Sequence, residues 1–338
     1  MRIAILGGTR FIGRAVVERL TAEGHTLLVV HRGDHEPDGQ PGQPGQPGQP
    51  GQPGQPGQGG SAAVEHAHLD RHDGAALAAA LTPFDPGALV DISGMNAAAA
   101  DAALGAVGPS VKLIALSSVD AYRAYDGVHS DRTTDSLPLT EESPLRERRF
   151  VDGPQYENLE MEERYLPRGA TVLRLGAVYG EHDYQKRFEF VLRRVRAGRR
   201  RIPVGSGQFL FSRVYVGDVA AAVSKALDGD FPGAFNITEP STAPYRLFAE
   251  QILAAAGAED TELVRVRDDL LPEDLALTGA LTQHLLVDSS KARDVLGWAP
   301  ADPAATLRTA VRWHLANPPA DGSDDFSADD ELLGVKTG

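Results

Sequence analysis

Arg2-Ile3-Ala4-Ile5-Leu6 leads directly into Gly7-Gly8-Thr9-Arg10-Phe11-Ile12-Gly13, and apolar residues at helical spacing follow in 14–20. This order predicts a strand, a tight glycine loop and a helix. Such a loop presents backbone N–H groups and the positive end of a helix dipole, and its glycines let a dinucleotide pyrophosphate approach the main chain closely. The predicted cofactor-binding residues of this loop are therefore Gly7, Gly8, Thr9, Arg10, Phe11, Ile12 and Gly13.

The same alternation of strand and helix continues along the chain. Strand-like apolar runs occur at 26–30, 63–70, 88–94, 111–118 and 171–175, and helical segments at 14–23, 74–81, 97–107 and 154–165. This alternation is typical of a parallel sheet with helices on both faces, whose ligands bind at the carboxyl ends of the strands. The sequence therefore predicts an α/β fold, a Rossmann-type doubly wound parallel sheet with a smaller C-terminal substrate-binding domain.

Composition divides the chain further. We expect a dinucleotide-binding domain over 1–175, to which 212–236 returns, and a substrate-binding domain mainly over 176–316. The acidic tail 317–338 is predicted to be flexible. Gly-Gln-Pro repeats within 37–60 lack apolar residues, which predicts a disordered surface insertion. A collagen-like triple helix is the alternative, disfavoured because the repeats lie inside a globular domain.

The overall composition excludes several classes of protein. The 338 residues have a net charge of −14, 42% apolar residues and no cysteine. The apolar content suffices for a core, while the acidic balance disfavours nucleic-acid binding. The lack of cysteine excludes disulfides and thiolate metal sites. No apolar run reaches the length of a signal or membrane-spanning segment, so we expect a soluble, cytoplasmic protein.

The end of the second predicted strand bears on the choice between NAD and NADP. Sites for NAD usually place an acid about 20 residues after the glycine loop, but His31 and Arg32 stand there, and Arg10 lies in the loop. Because guanidinium groups suit a 2′-phosphate, we predict NADP. NAD stays an alternative because the acidic residue Asp34 is close to this position in the sequence. Arg10 and Arg32 would then be solvated surface residues. Asp70, at the end of the third predicted strand, and Arg71, directly after it, complete the predicted cofactor-binding set.

Three other polar groups stand out in the sequence. His66, His68 and His72 crowd the third strand; surface chemistry is favoured over metal binding, so no metal site is predicted. The polar segment 123–150 is predicted to be a long loop over the site. The arginines within 193–201, on and just beyond a predicted helix at 187–197, form either a solvated face or a surface that holds an anionic substrate or RNA.

Further signatures follow the glycine loop in a fixed order. They are Ser117-Ser118 with Tyr122, Tyr156 on the next helix, Leu173-Arg174 through Tyr179-Gly180, Arg213 to Ala220, and Phe235-Asn236. The ordered set, spanning about 1–316, resembles the extended short-chain dehydrogenase/reductase family, and within it the NAD-dependent epimerase/dehydratase group, which acts mostly on nucleotide sugars. Arg10, in place of the usual middle glycine, resembles an atypical branch that also includes chloroplast stem-loop RNA-binding proteins.

The resemblance implies roles for individual residues. Tyr156 would transfer a proton and Ser118 would orient substrate and tyrosine; a scaffold helix and a small residue ending a buried strand are the simpler alternatives. Asp120 matches one of two acids that the family's dehydratases use, but Val119 stands at the other place, which favours an epimerase or reductase. Arg213 resembles the arginine that holds a substrate diphosphate, with an ion pair to Asp218 as the alternative. Tyr122 is the second predicted substrate contact.

One position departs from the family pattern. Glu160 replaces the lysine that the family places four residues after the tyrosine, and a carboxylate would raise the pKa of the phenol instead of lowering it. We predict an NAD(P)-dependent epimerase or reductase, a homodimer by analogy, acting on a nucleotide-sugar-like or secondary-metabolite substrate. The alternative is a catalytically impaired dinucleotide-binding member with a regulatory or RNA-binding role.

Overall fold

The computed structural model describes residues 1–33, 63–94, 96–149, 157–320, 322 and 325–334. Runs of aliphatic and β-branched residues form most of its strands. The strands are β1 (Arg2–Leu6), β2 (Thr26–His31), β3 (Val64–His68), β4 (Ala88–Asp91), β5 (Lys112–Ser118), β6 (Thr171–Leu175), β7 (Ala177–Tyr179), β8 (Arg201–Val204), β9 (Arg213–Tyr215), β10 (Gly233–Ile237) and β11 (Glu262–Arg265).

Helices connect most of these strands. They are α1 (Phe11–Ala22), α2 (Gly74–Phe84), α3 (Ala97–Gly105), α4 (Arg123–Ser130), α5 (Asn158–Tyr165), α6 (Glu189–Arg196), α7 (Val216–Asp228), α8 (Tyr245–Ala255), α9 (Ser290–Leu296), α10 (Pro303–Ala316) and α11 (Ser327–Leu332). No helix among the described residues is both long enough and apolar enough to cross a membrane.

The central sheet has seven strands in the order β10-β6-β5-β4-β1-β2-β3. β1 runs parallel to β2 and to β4, so that Leu6 lies level with Val30 on one side and Asp91 on the other. The chain moves outward from β1 to β2 and β3, then returns to β4 on the other side of β1. Ligands of doubly wound sheets bind where the order reverses in this way. The predicted Rossmann-type doubly wound parallel sheet is confirmed, and the glycine loop leaves β1 at the switch point.

The chain divides into two compact units, 1–116 with 151–172 and 223–233, and 117–150 with 173–222 and 234–338. In the first unit, aliphatic side chains of β1, β2 and β4 pack with those of α2, α3 and α5. In the second unit an aromatic core includes Phe188, Phe209 and Phe248. Burial of these side chains provides most of the favourable free energy of folding in each unit.

Two segments differ from the sequence prediction. The segment 123–150 is not loop throughout, because α4 occupies its start and buries Ala124 and Gly127, which are three residues apart on one helix face. The tail contains α11, where the sequence predicts no element. The Gly-Gln-Pro repeats and Tyr156 lie outside the described residues, and the predicted domain functions stay predictions.

Candidate functional site

The glycine loop is packed so closely that side chains are excluded. A Cβ on Gly13 would lie 2.7 Å from Cα of Gly8, and one on Gly7 would lie 2.8 Å from Oγ of Ser93. Gly7 also has a φ of +81°, a conformation that favours glycine. The loop therefore forms a cradle that a Cβ would fill, at the amino end of the twelve-residue helix α1. These residues fit a dinucleotide pyrophosphate.

The helix after the loop begins without a side-chain cap. Arg10 occupies the N-cap position with extended backbone, and its side chain makes no capping hydrogen bond to the described helix. Phe11 follows with a φ of 32°, which is strained for a residue with a Cβ, and its ring is buried. The start of α1 is thus held by the packing of Phe11, and the exposed Arg10 stands at the mouth of the loop.

The carboxyl ends of β2 and β3 bring imidazoles together beside Arg32. Nδ1 of the buried His31 accepts a hydrogen bond from the backbone N–H of Gly33 at 3.1 Å. In the neutral ring the hydrogen therefore lies on Nε2 of His31, which donates to Nδ1 of His66 at 2.9 Å. The His68 ring lies 4.6 Å from the His31 ring. No group of three or more His, Asp or Glu in the described part of the chain is arranged to hold a metal ion.

Arg71 is paired within the protein. Its guanidinium donates two hydrogen bonds to Asp91, of 2.5 and 2.6 Å, and a third to Oγ of Ser93 at 2.9 Å. The Tyr165 hydroxyl donates to the same Asp91 carboxylate at 2.7 Å. Burial, reinforced by the Asp91 charge, raises the pKa of Tyr165 well above its usual value. The sequence predicted Arg71 as a coenzyme contact but not its partners, although a carboxylate that ends the apolar strand β4 was a signal for Asp91.

This network bears directly on the loop. Because Asp91 and Arg71 fix Ser93, and Ser93 packs against Gly7, the network holds one wall of the glycine cradle in place.

Asp70 is exposed, and its carboxylate accepts hydrogen bonds from the backbone N–H and the ring of His72. The first of these bonds is the main cause of the lowered pKa of Asp70.

Ser118 and Asp120 lie where β5 ends. The Ser118 hydroxyl accepts a hydrogen bond from the backbone N–H of Asp120 at 3.3 Å and so caps the short 3-10 turn Val119–Ala121. The Arg146 side chain, itself buried, donates to the backbone carbonyl of Asp120 at 2.5 Å. The turn that carries the two predicted catalytic side chains is therefore fixed by the Ser118 cap and by the hydrogen bond from Arg146.

Tyr122 has no surface for a substrate. The side chain is 0% exposed; its hydroxyl donates to Oδ1 of Asn236 at 2.6 Å and accepts from Arg174 at 3.1 Å. Burial raises its pKa to about 12. The predicted substrate contact therefore has no support in the structure, and Tyr122 instead joins β6 and β10 to the segment after β5. The sequence could not show this, since the partners lie far along the chain.

Glu160 belongs to α5, but its carboxylate lies at the amino end of α3. Its Oε2 accepts a hydrogen bond from the backbone N–H of Ala97, the first residue of α3, at 3.2 Å. One turn further along α5, Arg164 forms an ion pair of 3.2 Å with Asp101 of the same helix α3. The carboxylate in the place of the family lysine thus has a structural partner, the positive end of α3.

Arg213 is a buried cation. Only 5% of the residue is exposed; Nη1 donates to the carbonyl of Ala243 at 3.2 Å, and the guanidinium lies 3.6 Å from the centre of the Phe248 ring. Nη2 is buried and makes no hydrogen bond within the described residues. Burial lowers the pKa of Arg213, because desolvation disfavours its charge. An anion at Nη2 would offset this cost.

Comparisons with known proteins agree with this architecture. The family model for the NAD dependent epimerase/dehydratase family matches residues 3–238. The chloroplast stem-loop binding protein of 41 kDa b of Arabidopsis thaliana is 26% identical over 344 residues, covering 99% of this chain and 85% of that protein.

Two solved structures illustrate the similarity of fold. The dTDP-glucose 4,6-dehydratase of Bacillus anthracis, in complex with NAD, has a TM-score of 0.67 at 16% identity over 94% of this chain and 97% of that one. The UDP-glucose 4-epimerase of Thermotoga maritima, with UDP-glucose, has a TM-score of 0.65 at 18% identity over 93% and 98%. From the family match and the glycine loop it follows that this chain belongs to the NAD-dependent epimerase/dehydratase family.

Proposed function

We propose that this protein is an NAD(P)-dependent epimerase or reductase acting on a nucleotide-sugar-like or secondary-metabolite substrate. The observation that carries the proposal is the glycine cradle at the amino end of α1. In it Gly13 packs closely against Gly8, and Gly7 packs closely against Ser93. The bound nicotinamide would exchange a hydride with a substrate carbon. Arg10 and Arg32 support NADP over NAD, because guanidinium groups match a 2′-phosphate.

Proton transfer in this proposal is assigned to Tyr156, with Ser118 as the hydroxyl that orients it and Asp120 beside Ser118. Glu160 binds the start of α3, so position 160 supplies no cation that would lower the pKa of a phenol.

Substrate binding in this proposal rests on Arg213. Its buried Nη2 has no hydrogen-bond partner among the described residues, so a diphosphate that reached this atom would gain a charge-assisted hydrogen bond. Two proteins of similar structure were solved with such molecules bound. A UDP-glucose 4-epimerase holds UDP-glucose, and a UDP-N-acetylglucosamine 4-epimerase holds UDP-N-acetylmuramic acid. A nucleoside diphosphate sugar is accordingly the first substrate class to test, and Tyr122 is not part of this site.

The test is a titration of the purified protein with NADPH and with NADH, followed by nicotinamide fluorescence. We expect NADPH to bind at least about tenfold more tightly, and Arg32→Ala to remove most of that difference. Equal affinity would overturn the NADP assignment. No binding of either coenzyme to folded protein would overturn the enzyme proposal.

A second candidate function is favoured by the Glu160 cap. A family member in which this helix serves only as scaffold would bind dinucleotide without turnover and act as a regulatory or RNA-binding protein; the Arabidopsis relative is named as a stem-loop binding protein. Turnover assays with UDP-sugars distinguish the two candidates. Coenzyme binding without turnover, together with activity in Glu160→Lys, would favour the second candidate.

A further inference from the structure

Six arginines lie on α6 and the residues that follow it. We call this group the arginine face; it comprises Arg193, Arg194, Arg196, Arg199, Arg200 and Arg201. Four of them, Arg193, Arg194, Arg199 and Arg201, contact the end of the chain. Carboxylates outside the tail pair with several of its members: Asp274 with Arg193 and Arg194, Glu189 with Arg196, Asp260 with Arg200 and Glu262 with Arg201. Because the arginines outnumber these carboxylates, the face by itself is positive although the protein is acidic overall.

The end of the chain covers this face. Asp329 of α11 accepts two hydrogen bonds of 2.7 Å from the fully buried Arg194, and Asp330 pairs with Arg199. The backbone carbonyl of Asp325 accepts from Arg193 at 3.1 Å. The C-terminal segment (325–334) thus places carboxylates and a carbonyl against the arginines that the rest of the chain leaves least neutralised.

Charge, not apolar burial, holds the segment. Among its described residues, Asp329 is the only fully buried side chain, and Phe326, Leu332 and Leu333 are only partly buried. The Arg199–Asp330 pair is partly exposed and is weakened by salt, whereas the buried Arg194–Asp329 pair is screened little. The segment is therefore displaced only by a ligand whose anionic groups replace both carboxylates at these arginines.

The pattern of contacts points to one kind of competitor. The Phe326 ring lies 4.8 Å from the Arg193 guanidinium and 5.2 Å from that of Arg199, while carboxylates hold Arg194 and Arg199. An aromatic ring packed against guanidinium groups that also bind two carboxylates resembles a base packed on arginines that also bind backbone phosphates. Single-stranded nucleic acid offers that repeat with bases free to stack, whereas duplexes and simple polyphosphate do not.

We propose that the arginine face binds single-stranded nucleic acid and that the C-terminal segment competes for the same arginines. In the free protein the segment covers them. None of these residues belongs to the glycine loop, so this proposal does not rest on the proposed coenzyme site. It also accounts for an acidic protein that carries so concentrated a group of arginines, since the segment neutralises them until a ligand displaces it.

The test uses the full chain with the segment weakened. In the double variant Asp329→Asn, Asp330→Asn, we expect labelled single-stranded oligouridine to bind at least about tenfold more tightly than to the parent at low salt, measured by fluorescence anisotropy. Adding Arg199→Glu should remove the gain. Glu331→Gln takes one charge from an exposed position of the same helix and should leave binding at the parent level. NADPH affinity should be the same in all variants, which separates this test from that of the coenzyme site.

Other outcomes would overturn the proposal. Loss of amide-exchange protection in α11 without tighter oligouridine binding would mean that the segment does not compete for the face. Equal binding of duplex RNA or inorganic tripolyphosphate would exclude the single-stranded ligand. Should the double variant fail to fold, Phe326→Ala with Asp330→Asn keeps the Arg194–Asp329 pair and gives the same two readouts.

Discussion

Glu160 accepts a hydrogen bond from the backbone N–H of Ala97, 3.2 Å away, at the amino end of α3. The residue that departs most from the family pattern is therefore engaged in joining two helices of one unit. A carboxylate at a helix amino end is favoured by the helix dipole and by the N–H groups of the first turn. A lysine at position 160 would place a positive charge at the same end and lose this interaction.

This contact predicts a stability effect that is separable from catalysis. Glu160→Ala should lower the free energy of unfolding by about 0.5–1 kcal/mol in urea denaturation, because α3 loses an acceptor and a favourable charge. Glu160→Gln keeps the acceptor and should lose less. Glu160→Gln is therefore the matched control, because it removes the charge and keeps the acceptor. Equal stability of Glu160→Ala and the parent would contradict the capping role.

The glycine cradle predicts selective loss of coenzyme binding. Gly13→Ala introduces a Cβ 2.7 Å from Cα of Gly8, so the loop must open and its N–H groups must shift from the pyrophosphate. We expect NADPH affinity to fall by at least about tenfold in the fluorescence titration. Gly105→Ala is the matched control, because no atom lies within 4 Å of its Cβ; it should bind NADPH as the parent does.

The fold could be predicted because its determinants are local. The glycine loop after β1 and the alternation of apolar strands with helices are visible in short windows of sequence, and they fix the class of sheet. α4 was missed because only Ala124 and Gly127 are buried on a short, polar helix. Its spacing, with Val128 one residue beyond Gly127, was an available signal.

The site could be predicted only in part, because its decisive contacts join distant segments. Tyr122 and Asn236 are 114 residues apart, and Tyr165 and Asp91 are 74 apart. Residue type alone indicated Arg71 as a coenzyme contact, whereas its guanidinium is taken up by Asp91. No pattern in the tail distinguishes Asp329, which meets Arg194, from its acidic neighbours.

The Arg71–Asp91 pair predicts a large stability effect. Asp91 is completely buried and the Arg71 side chain is 12% exposed, so Asp91→Asn leaves a largely buried guanidinium without its counter-charge. We expect a loss of about 3 kcal/mol in the free energy of unfolding, measured in urea. Arg14→Ala breaks an exposed pair with Glu18 and should cost at most about 0.5 kcal/mol. Similar losses in the two variants would show that Asp91 is not essential to this network.

Glu239 lies beside the buried Arg213 region. Its Oε1 accepts a hydrogen bond from the Tyr179 hydroxyl at 2.5 Å, and its backbone N–H donates to the carbonyl of Arg213 at 2.7 Å. Burial raises the pKa of Glu239 above its usual value of 4.5, against the opposing effects of Tyr179 and Arg213. The folded protein therefore holds a proton on Glu239 at a pH where the unfolded chain has released it.

The sign of the resulting pH dependence follows from this difference. Because the folded-state pKa is raised, stability falls as pH rises from about 4.5 through the folded-state pKa, and levels off above it. Glu239→Gln removes this titration while keeping an acceptor for Tyr179. The melting temperature of Glu239→Gln minus that of the parent should therefore increase with pH across this window. Thermal melts at intervals from about pH 4 to about pH 8 measure this difference, and Glu250→Gln, at an exposed site, controls for loss of charge. A difference that is constant, or that decreases with pH, would show that burial does not raise the pKa of Glu239.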